Sequence, residues 1–149
     1  MAAPFVYIEA TRQMSLGLLD FTNNTSIDIR SALVATNSTC PTLDTANVLT
    51  DFTLDEYAAA SRYDHATVSQ SEDDANNRTE IGLDDAVFTN LAGPQVRPCI
   101  GMLTWWDKGS DGASIPLFFW NLASFEGNGS TVTIQFDAQG AMQITSAGA

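Results

Sequence analysis

Short apolar runs separated by turn-forming residues fill the final third of the chain and constrain its fold more than any other feature. The runs are RPCIGMLTWW, IPLFFWNLASF, TVTIQF and AMQIT, and the segments between them are DKGSDGAS, EGNGS and DAQG. Each of these segments carries the Gly and the Asp or Asn that tight turns require. The pattern predicts an all-β fold, an antiparallel β-sandwich or barrel with a C-terminal four-strand meander.

A further strand is predicted before the middle of the chain, in the segment SIDIRSALV. Ile27, Ile29 and Leu33 fall on one parity, whereas Asp28 and Arg30 fall on the other. This period of two is typical of a strand with one buried face.

The acidic residues concentrate in the middle of the chain. Residues 44–85 contain eleven carboxylates against two arginines, so their local net charge is −9. Such a segment must be largely solvated, and we expect a loop-rich acidic middle with short strands, in which SQSEDDANNRTE forms an exposed loop. Thr53 and Glu56 match a capping box and leave open a short helix through DEYAAASRY.

The first twenty residues are predicted to form an extended N-terminal arm (1–20) ahead of a single β domain (21–149). The apolar side chains of this arm are candidates for docking onto a partner, by adding a strand to an exposed sheet edge; they are Phe5, Tyr7, Ile8, Leu16 and Leu18. The alternative is that residues 4–10 form an internal first strand of the domain.

Charge and hydropathy exclude several classes of partner. The 149 residues carry a formal net charge of −12, and the six basic residues are scattered singly. We therefore expect no binding to nucleic acid or to an anionic membrane. No run approaches the 18 apolar residues that cross a bilayer, and the N-terminus lacks the pattern of a secretory leader. Assembly in a cytoplasm is the expectation.

The sequence offers little catalytic chemistry. His65 is the single histidine, it lies in a strand-like stretch, and no GxSxG motif accompanies it, so we predict a structural histidine and no enzyme.

Cys40 and Cys99 are predicted to be buried thiols, with a disulfide as the alternative. No cofactor is expected. Calcium held by Asp107 and Asp111 is an alternative, although their spacing does not match the twelve-residue calcium loop.

Adjacent aromatic residues suggest self-association. Neighbouring residues of a strand point to opposite faces, so Trp105 and Trp106 cannot share one core, and the same holds for Phe118 and its neighbour Phe119. Exposed aromatic side chains are enriched in subunit contacts. We therefore predict a homo-oligomer, specifically a trimer, with contacts through Trp105, Trp106, Phe118 and Trp120. A carbohydrate-stacking or receptor-binding surface is the alternative use of these side chains.

Two stretches of the chain resemble a family of small structural proteins of tailed bacteriophages. They are SEDDANNRTEIGLDDAVFTNL and SIPLFFWNLASFEGNGSTVTIQFDAQGAMQIT. In that family an EDDAN-R-E segment precedes a D-VF strand, and the chain closes with P-x-F, GNG, VTI and D-x-x-G elements in this order. The resemblance covers roughly residues 27–145 and implies a component of the virion.

Electrostatics narrows this implication. A chain of net charge −12 would be repelled by packaged DNA inside a head. Small acidic β proteins of this kind are similar to the capsid decoration, or cement, proteins that clamp the outer surface of the head, with the major capsid protein as partner. A protein associated with the tail or its fibres is the alternative within the same family.

Overall fold

The computed structural model describes residues 5–22, 27–57, 60–92, 97–136 and 140–145. In chain order the elements are β1 (Phe5–Val6), α1 (Ile8–Ser15), β2 (Asp28–Ala35), a 3-10 helix (Leu49–Asp51), β3 (Tyr63–Asp64), β4 (Val68–Asp73), β5 (Arg78–Leu83), β6 (Ala86–Phe88), β7 (Cys99–Asp107), β8 (Ile115–Phe125), β9 (Val132–Ile134) and β10 (Met142–Thr145). All the strand pairings between these elements are antiparallel. The predicted all-β class with antiparallel sheets is confirmed.

The strands form three sheets. Sheet A has the order β1-β8-β7-β2-β3, sheet B has the order β10-β5-β4, and sheet C pairs β6 with β9. The long hairpin of β7 and β8 is the centre of sheet A, and its connection contains Gly109 at a φ of +85°, a backbone conformation that favours glycine. This hairpin is the first half of the predicted C-terminal meander.

The second half of the meander was predicted wrongly. The strands β9 and β10 exist, but β9 pairs with β6 and β10 pairs with β5. The reason lies at the edge of β8 that faces away from β7, where a meander would place its third strand. There β1 already pairs with β8, in the register Phe5 to Phe119. The last two strands therefore find partners in the middle of the chain; residues 137–139, in the predicted DAQG turn, lie outside the described residues.

Sheet A is covered on both faces. Along β2, Ile29 and Leu33 belong to one core cluster, whereas Ala32 and Val34 belong to a second. The second cluster is closed by the connection between β2 and β3, which contributes a set of buried side chains: Cys40, Ala46, Leu49 and Phe52. The strand at SIDIRSALV is thus confirmed, with burial on both parities after Arg30.

The acidic middle contains a hairpin that the sequence did not predict. SQSEDDANNRTE was expected to be an exposed loop, but β4 pairs with β5 over six residue pairs, and Asn77 occupies the turn at a φ of +55°. Strand β4 is the edge of sheet B, and most of its side chains are exposed. An edge strand with solvated side chains has the composition of a loop, which explains the error.

The segment DEYAAASRY does not form the alternative helix in its described part. Glu56 makes an isolated antiparallel bridge with Val34, and Tyr57 is buried with its amide donating to the Leu33 carbonyl. Residues 58–59 lie outside the described residues. The expectation of short strands and loops is the correct one here.

Candidate functional site

The N-terminal segment is part of the body and is not an extended arm. After β1 pairs with β8, the Tyr7 side chain enters the second core cluster with 0% exposure, and its hydroxyl donates to the Cys40 carbonyl at 2.8 Å. Phe5 is half-buried against Tyr7 and Phe119, with ring centroids 5.0 and 5.8 Å away. The alternative of an internal first strand is correct for residues 5–6, and the chain then turns into a helix.

Helix α1 buries polar as well as apolar side chains, and one large apolar residue of the helix is exposed. The polar residues Glu9 and Gln13 are each 7% exposed and point inward. Ile8, the first residue of the helix, is 57% exposed, and Leu16, which follows its last residue, is 56% exposed. A surface helix ordinarily buries its apolar residues and solvates its polar ones. These two apolar side chains depart from that pattern, whereas the other exposed residues of α1, Thr11, Arg12 and Ser15, follow it.

Hydrogen bonds within the helix explain how Glu9 tolerates burial. Arg12 donates to the two carboxylate oxygens at 2.7 and 2.6 Å, and the Gln13 amide donates to Oε1 at 2.6 Å. The hydrogen bonds from Arg12 hold the pKa of Glu9 below its usual range, against the opposing effect of burial. The buried carboxylate of Glu9 is therefore satisfied within the helix.

The chain that follows the helix extends the apolar surface. Leu18 is 57% exposed, so with Ile8 and Leu16 it gives three large apolar side chains in contact with solvent. We call the surface formed by Ile8, Thr11, Ser15, Leu16 and Leu18 the docking surface; all five are exposed. Its formation depends on Gly17, whose φ of +66° turns the chain out of the helix.

A groove opens beside the docking surface. It has a volume of about 400 Å³ and lies between the chain after α1 and the face of sheet B. Its lining is mixed: the apolar side chains are those of Met14, Leu19, Phe21, Ile81 and Ile144, and Asp20, Gln70 and Thr79 contribute polar ones. Ile144 is 48% exposed.

The charge of the N-terminal segment is low. Residues 5–22 contain Glu9, Arg12 and Asp20 as their charged residues, a local net of −1, against −9 for residues 44–85. Glu9 is paired with Arg12, and the exposed acidic residues nearby include Asp20 and Asp44, whose backbone carbonyl accepts from the Ile8 amide at 3.2 Å. Residues 5–22 themselves repel a second protein less than the acidic middle does.

The predicted aromatic contacts are not on the surface. Exposure is 0% for Trp105, 8% for Trp106, 1% for Phe118 and 6% for Trp120. Trp105 lies in the second core cluster and Trp106 in the first, so alternation does separate them, but both faces of the sheet are buried within one chain. The prediction that these side chains face a subunit contact was wrong, and with it the reason given for a trimer.

A second candidate site is a buried polar cluster around His65. Its Nε2 lies 2.8 Å from Oγ of Ser31, and its Nδ1 lies 3.1 Å from the carbonyl oxygen and 3.4 Å from Oδ1 of Asp84. Ser31 Oγ also lies 2.7 Å from Oγ1 of Thr104. A serine, a histidine and an aspartate in this order are the groups of a hydrolase triad.

This cluster differs from a hydrolase site because it is buried. Ser31 and Thr104 are each 0% exposed, as is the His65 side chain, so no substrate carbonyl reaches Ser31 Oγ in this structure. Burial lowers the pKa of His65, with a partly opposing effect from Asp84. The neutral imidazole is the form that fits the core.

The sequence contains no local signal for this cluster, because its members are 34 and 73 residues apart in sequence. The one feature of the sequence that could indicate the cluster is a polar residue inside a run that is otherwise apolar. Ser31 and Thr104 interrupt the runs IRSALV and MLTWW, and a buried hydroxyl needs a partner.

The carboxylates proposed as calcium ligands are engaged elsewhere. Asp111 accepts two hydrogen bonds from Arg62, at 2.6 and 2.8 Å, and Asp107 accepts one from Ser114 at 3.0 Å. Within the described residues, no group of three or more His, Cys, Asp or Glu side chains could hold a metal ion. The described helix is also too short to cross a membrane.

Both cysteines are free and buried, as predicted. Burial raises the pKa of each thiol to about 11, so neither is a thiolate near neutral pH. Cys40 lies in the second core cluster, where Ser38 donates a hydrogen bond to its sulfur at 2.9 Å.

Comparisons of this chain with models of protein families, with curated proteins and with solved structures gave no match.

Proposed function

We propose that this chain is a structural protein of a bacteriophage virion, a decoration protein that binds the outer surface of the head through the docking surface. The observation that carries the proposal is the exposure of three large apolar side chains at the start of helix α1 and just after its end. Ile8, Leu16 and Leu18 are each more than half exposed, whereas the polar Glu9 and Gln13 are each 7% exposed. A partner that covers these apolar side chains would stabilise the complex by about 25 cal/mol per Å² of apolar surface removed from water.

Two further features favour the outer surface of a head. The resemblance of residues 27–145 to small virion proteins gives the setting, and the net charge of −12 is unfavourable next to packaged DNA. The partner is then the major capsid protein. Repetition of the chain at symmetric positions, as a trimer at threefold sites, belongs to the same proposal, although the buried aromatic residues do not support it.

The carbohydrate-binding alternative has lost its basis, because the tryptophans that would stack on a sugar are buried. A position on the tail stays within the same class of function. It differs in copy number, and no contact in the described structure favours it.

Binding to shells that lack this protein tests the proposal. The triple substitution Ile8→Ser, Leu16→Ser and Leu18→Ser should weaken co-sedimentation with such shells by at least about tenfold, since each leucine or isoleucine that is buried contributes roughly 1.5 kcal/mol or more. Its thermal unfolding should be unchanged, because all three side chains are more than half exposed.

The matched control is Val87→Ser, which removes an exposed apolar side chain (39%) from β6, outside the docking surface. It should bind shells as the unmodified protein does. Full binding by the triple variant would contradict the docking surface. A lack of binding by the unmodified protein would contradict the proposed function itself.

A further inference from the structure

His65 connects parts of the fold that belong to different sheets. It follows β3 directly, and its amide donates to the Ile29 carbonyl of β2 at 2.9 Å, which holds its backbone on sheet A. Its side chain reaches Ser31 in β2 through Nε2 and Asp84 through Nδ1. Asp84 lies in the connection between β5 of sheet B and β6 of sheet C. The imidazole therefore joins sheet A to the junction of the other two sheets.

The hydrogen bonds around the ring fix its protonation. Nδ1 faces two acceptors, the carbonyl and a carboxylate oxygen of Asp84, so it carries the hydrogen. Nε2 then accepts from the Ser31 hydroxyl, whose oxygen accepts in turn from Thr104. In this arrangement each buried hydroxyl donates once, and the chain of hydrogen bonds runs from Thr104 to Asp84.

A proton on Nε2 would disrupt this chain. Ser31 would have to accept from the ring, its hydrogen would turn towards Thr104, and the Thr104 hydroxyl would lose its acceptor. The positive charge would also be shielded from solvent, because the His65 side chain is 0% exposed. A buried polar group without a partner costs about 1–3 kcal/mol, and an added charge costs more.

The charged and titratable neighbours do not offset this cost. From β3 these are Tyr63 and Asp64, and from the connection after β5 they are Asp84 and Asp85, whereas β2 and β7 contribute the uncharged Ser31 and Thr104. Asp84 is already occupied, since it accepts from the Thr67 amide at 3.0 Å and from the Tyr63 hydroxyl at 2.7 Å.

We propose that Ser31, His65 and Asp84 form a pH-sensitive latch, which holds the connection between β5 and β6 against sheet A and releases it when His65 takes up a proton. The closed form binds no proton on Nε2, and the open form takes one with an ordinary histidine pKa of about 6.5. The closed form is therefore fully favoured above that pH. The free-energy difference that favours the closed form is lost as the pH falls from about 6.5 towards the lower pKa of the buried imidazole.

The single histidine makes the latch straightforward to test. In ¹⁵N-labelled protein, NMR of the imidazole should show the Nδ1–H tautomer at pH 7.5 and a titration midpoint below 6.5. Amide exchange, corrected for its intrinsic pH dependence, should report up to about tenfold more opening at pH 5.5 than at pH 7.5 for His65, Thr67 and Asp84. Amides in the hairpin of β7 and β8 serve as the internal control and should not respond.

Replacement of the titrating group completes the experiment. In His65→Gln, the difference in exchange between pH 5.5 and pH 7.5 at Thr67 and Asp84 should disappear. The latch is rejected if the wild-type imidazole titrates at or above 6.5, or if the glutamine variant keeps the pH-dependent exchange. The first criterion needs only the unmodified protein, so it holds even if the variant fails to fold.

Discussion

At the scale of single residues, close packing between β7 and β8 determines which substitutions the centre of sheet A tolerates. Gly101 lies opposite Asn121, and a Cβ atom placed on it would overlap the Phe119 ring and lie 2.6 Å from the Trp120 carbonyl oxygen. The backbone of a central strand cannot move away easily. A small residue is therefore required at this position.

Gly101→Ala should consequently destabilise the protein by about 1–3 kcal/mol, the usual range for overpacking. Urea unfolding followed by tryptophan fluorescence measures the difference. The control is Gly112→Ala, where the nearest atom to the added Cβ is the Thr50 methyl group at 4.0 Å. An unchanged midpoint for Gly101→Ala would mean that β7 and β8 are less closely packed than the structure indicates.

The sequence correctly predicted that adjacent tryptophan side chains point to opposite faces of a strand, but it wrongly predicted what surrounds them. Alternation does send Trp105 and Trp106 to opposite faces of sheet A. The sequence could not show that the connection between β2 and β3 covers the second face, because Cys40, Leu49 and Phe52 are spaced without a period. Of the five residues predicted to dock onto a partner, Ile8, Leu16 and Leu18 are exposed, Phe5 is half-buried and Tyr7 is in the core; docking itself stays a prediction.

At the scale of elements, the N-terminal segment has two separable roles. Strand β1 and Tyr7 complete the body, whereas the outer face of α1 is exposed. A deletion of residues 2–20 removes both roles at once. We expect the truncated protein to lose its cooperative thermal transition, because the second core cluster would lose Tyr7 and the edge of β8 would lose its partner.

Circular dichroism and a thermal melt of the truncated protein check this expectation. A cooperative melt close to that of the full chain would contradict it, and would restore the extended arm as the better description. The triple serine variant of the docking surface is the matched comparison, since it should melt normally.

Strand existence was easier to predict than strand pairing. The four apolar runs of the final third all contain strands, because local patterning and turn residues suffice to define them. Their partners were not predictable in the same way. The pairing of β9 with β6 and of β10 with β5 joins segments far apart in the chain, and it depends on β1 occupying the edge of β8.

At the scale of the whole molecule, acidic residues concentrate in the middle of the sequence. The acidic middle carries a local net charge of −9, whereas residues 5–22 carry −1 and include the docking surface. The two segments meet in space, because the Ile8 amide donates to the Asp44 carbonyl at 3.2 Å. The proposed decoration of a shell needs copies that stay soluble at neighbouring sites, and a net charge of −12 favours this.

The measurement that tests the central claim most directly is the copy number and position of this chain in purified phage particles. Quantitative mass spectrometry, combined with fractionation of heads from tails, should find roughly hundreds of copies per particle, all with the heads, as repetition over a symmetric shell requires. A few copies found with the tails, or none in the particle, would contradict the account.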